Sequence, residues 1–200
     1  MQNQVMKYQS TKLFDGYSTC FRQWKADGTH CKFLHGYAIS FRVWFEGQLD
    51  ERNWVFDFGG MKRAKNTIQG KSPKDFFAWL LDHTTIIADN DPYLDLFKQM
   101  DKDGIIQLRI LPAVGCEKFA EYLYNVINEF LYKETEDRVR AVRVEVYEHE
   151  RNSAAYSGPI NTIDNDVELM KLKVQANSPY NDGWTKEFYQ EELNKLKNNE

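Results

Sequence analysis

The most informative stretch of this chain is Cys31-Lys-Phe-Leu-His35-Gly-Tyr37-Ala-Ile-Ser-Phe-Arg-Val-Trp-Phe-Glu46. Its beginning holds a thiol, an imidazole and a phenol. The remainder alternates apolar and polar side chains, with the period of two that is typical of a half-buried strand. Cys31 and His35 therefore stand at a strand entrance, where they can serve as a base and as a metal ligand. A purely structural segment does not need that chemistry.

Length and composition predict one globular domain. The chain has 200 residues, of which 42% are hydrophobic and 28% are charged. This is enough for one domain with a core. The net charge of −4 gives no general basic field, so we expect no nucleic-acid partner. The first ten residues lack the apolar segment of a signal peptide, and no apolar run reaches membrane-spanning length. We expect a cytoplasmic protein without a membrane partner.

The three cysteines, Cys20, Cys31 and Cys116, are an odd number and lie far apart in the chain. They do not form the pattern of a small disulfide framework, and we expect free thiols. Because free cysteine is among the most buried residue types, Cys116 is expected simply to pack in the core.

Periodicity predicts a mixed α+β architecture. We expect strands at residues 8–20, 37–46, 53–58, 105–111 and 142–148, the second and third forming a hairpin. We expect helices at residues 61–68, 73–82, 90–103 and 117–131, and Ser72-Pro73 is typical of a helix start. Composition changes after Tyr156. Residues 1–156 are therefore predicted to form the domain, and residues 157–200 an extension with an amphipathic helix at 184–196.

The residues that suggest chemistry are Cys31, His35, the pair Asp82-His83, Glu117 and Glu148. A thiol becomes an effective base when a neighbouring histidine, itself oriented by a carboxylate, helps to remove its proton. Glu148 continues the apolar face of a valine-rich strand, which is costly unless the carboxylate has a partner. The alternative for Glu148 is partial exposure at the strand end, and each of the other residues, taken singly, is also common in ordinary domains.

The order of these residues resembles a known family. An aromatic segment ending at Cys20 is followed by Cys31-x-x-x-His35-Gly-Tyr37, Asp57-Phe58-Gly59, Leu81-Asp82-His83, Glu117 and Glu148. The 6-pyruvoyl-tetrahydropterin synthase and 6-carboxytetrahydropterin synthase family has an aromatic strand ending in a metal-binding His. Then come Cys-x-x-x-His-Gly-His, Asp-Phe-Gly, Leu-Asp-His, a Glu at the start of the main helix and a late Glu after a Val-rich strand. The resemblance covers about residues 7–156.

The resemblance implies a T-fold, in which a four-stranded antiparallel sheet carries two helices on one face and oligomerises into a barrel, with sites between subunits. It implies a homo-oligomer (trimer, tetramer or hexamer) and a small pterin substrate, 7,8-dihydroneopterin triphosphate. In these roles Cys31 would transfer protons and Asp82 and His83 would activate it. Glu148 would anchor the pterin ring, with Glu117 in a supporting position. The activity closest to this pattern is that of 6-carboxytetrahydropterin synthase, which serves queuosine biosynthesis.

The resemblance also implies zinc held by three histidines, and here the chain departs from the family. Counted outward from Cys31 without gaps, the three positions fall on Cys20, His35 and Tyr37. A phenol, which holds its proton at neutral pH, is a poor zinc ligand. We therefore expect weak or altered metal binding, with His35 the first ligand and Cys20 the second, and His30 as a substitute.

Two other functions remain open at this point. One is a non-catalytic T-fold protein that binds a pterin or purine through Glu148, or that only assembles. The other is related lyase or isomerase chemistry on another pterin or a sugar phosphate without zinc.

Overall fold

The structure is a computed structural model, and it describes residues 7–158. The predicted helix at residues 184–196 lies outside the described residues, as does nearly all of the predicted extension, residues 157–200. No helix within residues 7–158 is long and apolar enough to cross a membrane.

Six strands and three α-helices make up the described part of the chain. The strands are β1 (Tyr8–Phe21), β2 (His35–Gly47), β3 (Thr84–Ala88), β4 (Leu108–Leu111), β5 (Val139–His149) and β6 (Asn152–Tyr156). The helices are α1 (Pro73–Leu81), α2 (Leu94–Lys102) and α3 (Cys116–Thr135), and short 3-10 turns lie at His30–Lys32 and Gly60–Lys62.

All six strands form one sheet in the order β4-β3-β1-β2-β5-β6. The pairs β1–β2, β2–β5 and β5–β6 are antiparallel, whereas β1–β3 and β3–β4 are parallel. The expected sheet of four antiparallel strands is therefore wrong in number and in type. The mixed α+β class is confirmed. The two parallel strands become possible because α1 precedes β3 and α2 connects β3 to β4, as parallel neighbours require a crossover.

The core lies on one face of the sheet. The predicted alternation in β2 is confirmed, since Ile39, Phe41, Val43 and Phe45 are all fully buried. The apolar stripe of α3 packs on the same face, and the stripe consists of Phe119, Leu123, Val126, Ile127 and Phe130.

The other two helices lie on opposite faces. Phe77 of α1 packs edge-on against Phe41 in the main core. Phe97 of α2 belongs to a second cluster with Ile87, Leu108 and Ile110 on the far side of β3 and β4. The expectation of two helices on one face thus holds for α1 and α3, and α2 is an addition to it.

Helix α1 begins as the sequence predicts. Ser72 is its N-cap, and the Ser72 hydroxyl accepts from the Asp75 amide at 3.3 Å. Pro73 occupies the first turn, where its missing N–H has no helical partner to lose. The predicted strand at residues 105–111 is shorter, because β4 begins at Leu108 and Ile105 is 66% exposed.

Two predicted elements are wrong. Residues 53–58 do not pair with β2, whose neighbours are β1 and β5. The Asp50 carboxylate instead accepts from the amides of Arg52 and Trp54, and this folds the segment into a turn. The predicted helix at residues 61–68 is limited to the turn Gly60–Lys62, because Glu134 of α3 accepts from the backbone amides of residues 65 and 66, which helical carbonyls would otherwise use.

Candidate functional site

The predicted site residues His35 and Tyr37 lie at the end of the sheet where β1 finishes and β2 begins. Phe21 of β1 is directly opposite His35, and Thr19 is opposite Tyr37. Opposed residues of an antiparallel pair share a face, as do residues two apart in a strand. The rings of His35 and Tyr37 are 5.1 Å apart, and Phe21 lies 5.4 Å from the first and 5.8 Å from the second. These three side chains form one aromatic group on the helix face.

Glu148 reaches the same end of the sheet from β5. It is half-buried and follows the buried Val144 and Val146 along β5, and its closeness to Cys116 of α3 places it on the helix face. Val142 does not belong to that alternation, because the pairing passes from Arg143 to Ala141 and leaves it as an extra residue at a bulge.

The thiol of Cys116, the first residue of α3, lies beside the Glu148 carboxylate. Burial and the charges of Glu148 and Glu117 raise the pKa of Cys116 to about 12, since each of them disfavours the thiolate. Cys116 therefore remains a neutral thiol, and it is the buried partner that Glu148 was expected to need.

Cys31 lies in the 3-10 turn beside this group and is half-buried. Its carbonyl accepts from the Gln23 amide at 2.8 Å, and its own amide donates to the Thr29 hydroxyl at 3.3 Å. The pKa of Tyr37 is raised first by burial and then by the charge of Glu148, and Cys31 and Cys116 act in the same direction in their ionised forms. Tyr37 thus lies within electrostatic reach of the carboxylate and the two thiols.

Glu117 and Gln23 flank Gly115, the N-cap of α3. Gly115 has φ +119°, a backbone conformation that favours glycine. A Cβ there would collide with the side-chain amide nitrogen of Gln23 and lie 3.5 Å from a Glu117 carboxylate oxygen. Glu117 itself is exposed. The absence of a side chain at Gly115 lets the Gln23 amide approach the start of the helix that carries Cys116.

Asp82 and His83 form the predicted pair, but they lie elsewhere on the sheet. Nδ1 of His83 is 3.0 Å from Oδ1 of Asp82, which also accepts from the Ser18 amide at 3.1 Å. Ser18 and Phe21 are three positions apart in β1, about 10 Å at roughly 3.3 Å per residue, and Cys31 lies beyond Phe21. Among residues 7–158 no hydrogen bond or ion pair joins Cys31 to either member of the pair.

The implied zinc site does not fit the side chains present. Cys20 is opposite Gly36, and its Sγ would lie 3.0 Å from a Cβ at that glycine, so it is on the other face of the sheet from His35. His30 is exposed in the 3-10 turn. Across the described part of the chain, no three His, Cys, Asp or Glu side chains are grouped so that they could hold a metal ion.

The sequence did not single out Cys116, Gln23 or Phe21 as part of this region. For Cys116 the available signal was its position immediately before Glu117 at the start of the best helix, whereas nothing in the sequence marks the contact between Gln23 and Gly115.

The fold and this cluster define an α+β protein with a polar site at one end of a curved mixed sheet. The family model described as 6-pyruvoyl tetrahydropterin synthase matches residues 11–159. The chain belongs to the 6-pyruvoyl tetrahydropterin synthase family, a T-fold family, as the order of its motifs predicted.

Individual proteins and solved structures are also similar to this chain. A protein of Pyrococcus abyssi named "Putative 6-carboxy-5,6,7,8-tetrahydropterin synthase" is 28% identical over 149 residues, covering 72% of this chain and 85% of its own. The crystal structure of an uncharacterised protein from Wolinella succinogenes has a TM-score of 0.62 at 18% identity, covering 77% of this chain and 99% of its own. A 6-pyruvoyl tetrahydropterin synthase from Caenorhabditis elegans has a TM-score of 0.48 at 16% identity, covering 76% of this chain and 96% of its own.

Proposed function

We propose that this protein is a pterin-handling lyase similar to 6-carboxytetrahydropterin synthase, which converts 7,8-dihydroneopterin triphosphate by proton transfer through Cys31. The placement in queuosine or tetrahydropterin-type biosynthesis belongs to the same proposal. The observation that carries it is the placement of Cys31, Tyr37 and Glu148 at one end of the sheet, in a chain of the 6-pyruvoyl tetrahydropterin synthase family.

In this proposal Glu148 holds the pterin ring. A carboxylate accepts hydrogen bonds from ring N–H groups more strongly than a neutral acceptor does. The neutral thiol of Cys116 lies beside the Glu148 carboxylate and adds no charge that would compete with the ligand.

Cys31 then moves protons on the substrate side chain. A thiol needs a neighbouring base for this task, and Asp82-His83 is the proposed activating pair. Because Asp82 is bound at Ser18 and Cys31 lies beyond Phe21, the proposal requires that the pair come from another subunit. This agrees with the interface-built sites that the family resemblance implies.

The test is a pair of assays on wild type, Cys31→Ala and Glu148→Gln: pterin binding by fluorescence and turnover by product chromatography. Cys31→Ala should lose on the order of 10²–10⁴ in rate while its pterin affinity stays close to that of wild type, since the thiol acts on the side chain. Glu148→Gln should weaken binding first, because a neutral amide replaces an anionic acceptor. Wild-type protein that neither binds nor converts the pterin would contradict the proposal.

A second candidate is a T-fold protein that binds a pterin or purine through Glu148 without converting it. Phe21 and Tyr37 beside His35 favour this candidate, because carbon and phenol groups stand where metal ligands are expected. Pterin binding by wild type without any turnover would support it.

A further inference from the structure

We propose that this site works without a metal ion, and that the Tyr37 hydroxyl makes the hydrogen bond to a ligand oxygen that a metal would otherwise contact. The identity of the ligand as a pterin rests on the proposed function. The metal-free character of the site does not depend on it.

The register of β1 against β2 carries the first step. Side chains in a strand alternate between the two faces of the sheet, so a register shift of one residue moves every side chain to the opposite face. Because Phe21 pairs with His35 and Cys20 pairs with Gly36, the β1 side chain that shares the face of His35 and Tyr37 is Phe21. Cys20 and His35 therefore point to opposite sides of the sheet.

Phe21 cannot make room for a ligand group from elsewhere. It is fully buried and meets the ring of Phe119 edge-on at 5.1 Å, which ties it to α3. A ring with only carbon atoms thus fills the position that would complete a metal site.

Of the three side chains on this face, Phe21, His35 and Tyr37, His35 is the one that commonly binds zinc. Its Nδ1 is 2.6 Å from the Phe33 carbonyl. A carbonyl only accepts, so that nitrogen must donate, and only Nε2 is left for a metal or a substrate. Structural and catalytic zinc sites use three or four protein ligands. One imidazole nitrogen with a neutral phenol is not enough.

Tyr37 is placed to replace the lost contact by a hydrogen bond. Its ring packs edge-on against His35 and lies 6.4 Å from His149 of β5, the strand that carries Glu148. A phenol donates one hydrogen bond and accepts others. In this proposal, a small polar heterocycle places its N–H groups on Glu148 and its hydroxyl or carbonyl oxygen on Tyr37.

The metal half of the proposal is tested by zinc content. Purified, untagged wild-type protein, incubated with zinc and then dialysed, should hold far less than stoichiometric zinc, and Cys20→Ser should not change this. The double variant Phe21→His, Tyr37→His places three imidazoles on one face with His35, and it should gain near-stoichiometric zinc that a further His35→Ala removes.

Two outcomes would overturn the metal-free site. Near-stoichiometric zinc in wild type that is lost in His35→Ala would show a metal site. A folded double variant, verified by circular dichroism, that gains no zinc would contradict the register argument. If the double variant does not fold, the zinc contents of wild type and His35→Ala still decide whether the site binds a metal.

The Tyr37 half is tested by pterin binding to Tyr37→Phe, which keeps the ring packing and removes the hydroxyl. Loss of one hydrogen bond should weaken affinity about two- to tenfold, with no difference between chelated and zinc-treated protein. Unchanged affinity would overturn the role of Tyr37. A wild type that binds no pterin would contradict the proposed function and this role together, while the zinc result would still decide the metal question.

Discussion

At the level of single residues, Cys116 shows what a sequence alone does not reveal. A free cysteine in an apolar helix face is expected to pack, and Cys116 is indeed buried. It also lies beside Glu148, and this neighbour comes from a strand later in the chain. Glu148 was predicted to need a partner, but the partner depends on where α3 begins relative to the end of β5.

The Cys116 thiol should make the free energy of unfolding fall as the pH rises through the alkaline range. Its pKa in the folded protein is about 12, raised from a reference value of 9.0, so folding favours the protonated form. That contribution is fully present below about pH 9 and is lost between about pH 9 and about pH 12, at up to about 1.4 kcal/mol per pH unit. Urea unfolding of wild type and Cys116→Ser at about pH 8 and about pH 11 measures it.

Serine keeps a donor for Glu148 but does not titrate in this range, so Cys116→Ser should lose less stability than wild type between the two pH values. An equal loss in both proteins would mean that other groups, such as the buried tyrosines, account for the alkaline decline.

The metal position illustrates a second limit at this level. Counting from Cys31 without gaps selected Cys20, one residue away from Phe21, the residue that faces His35. Sequence gives the types of residue near a strand end, but the face that each occupies is fixed by pairing register.

At the level of elements, strong periodicity was a reliable guide. The alternation of β2, the stripe of α3 and the Ser72 cap of α1 each gave an element close to its predicted bounds. The short strands β3 and β6, with five residues each, were not predicted, because runs of that length carry little periodic signal. The hairpin predicted at residues 53–58 is absent. Asp50 folds this segment into a turn, and β5 pairs with the edge of β2 that the hairpin would need.

Gly115 should be the most sensitive glycine of the site. Its backbone has φ +119° and ψ 159°, and a Cβ there would collide with the side-chain amide of Gln23. Any other residue is strained in that conformation, so Gly115→Ala should cost about 1–3 kcal/mol of stability. Chemical denaturation measures the loss. Gly60→Ala is the matched control, since its nearest neighbour would be at 3.4 Å, and it should cost clearly less.

Gly115→Ala should also weaken pterin binding, because Gly115 directly precedes Cys116, whose thiol lies beside Glu148. A Gly115→Ala protein as stable as wild type would show that the backbone there is not strained.

At the level of the whole molecule, the six-stranded sheet ends in two edges, β4 and β6. Exposed strand edges invite pairing with another chain. We predict an oligomer larger than a dimer, and light scattering at micromolar concentration measures it. A stable monomer would contradict both the assembly and a site shared between subunits.

The assembly also decides whether Cys31 meets Asp82-His83, which the single chain keeps apart. Cys31→Ala and His83→Ala proteins should each be inactive alone. If sites form between subunits, mixed oligomers regain some sites in which one chain supplies Cys31 and its neighbour supplies His83. Random mixing in a symmetric ring leaves about a quarter of the sites complete.

Turnover of 7,8-dihydroneopterin triphosphate by oligomers unfolded and refolded together from the two variants therefore examines the proposed chemistry and assembly at once. Wild type taken through the same refolding is the control. We predict product at about a quarter of the control rate from the mixture and almost none from either variant alone. An inactive mixture of confirmed mixed oligomers, beside an active control, would contradict the shared site of Cys31 and His83.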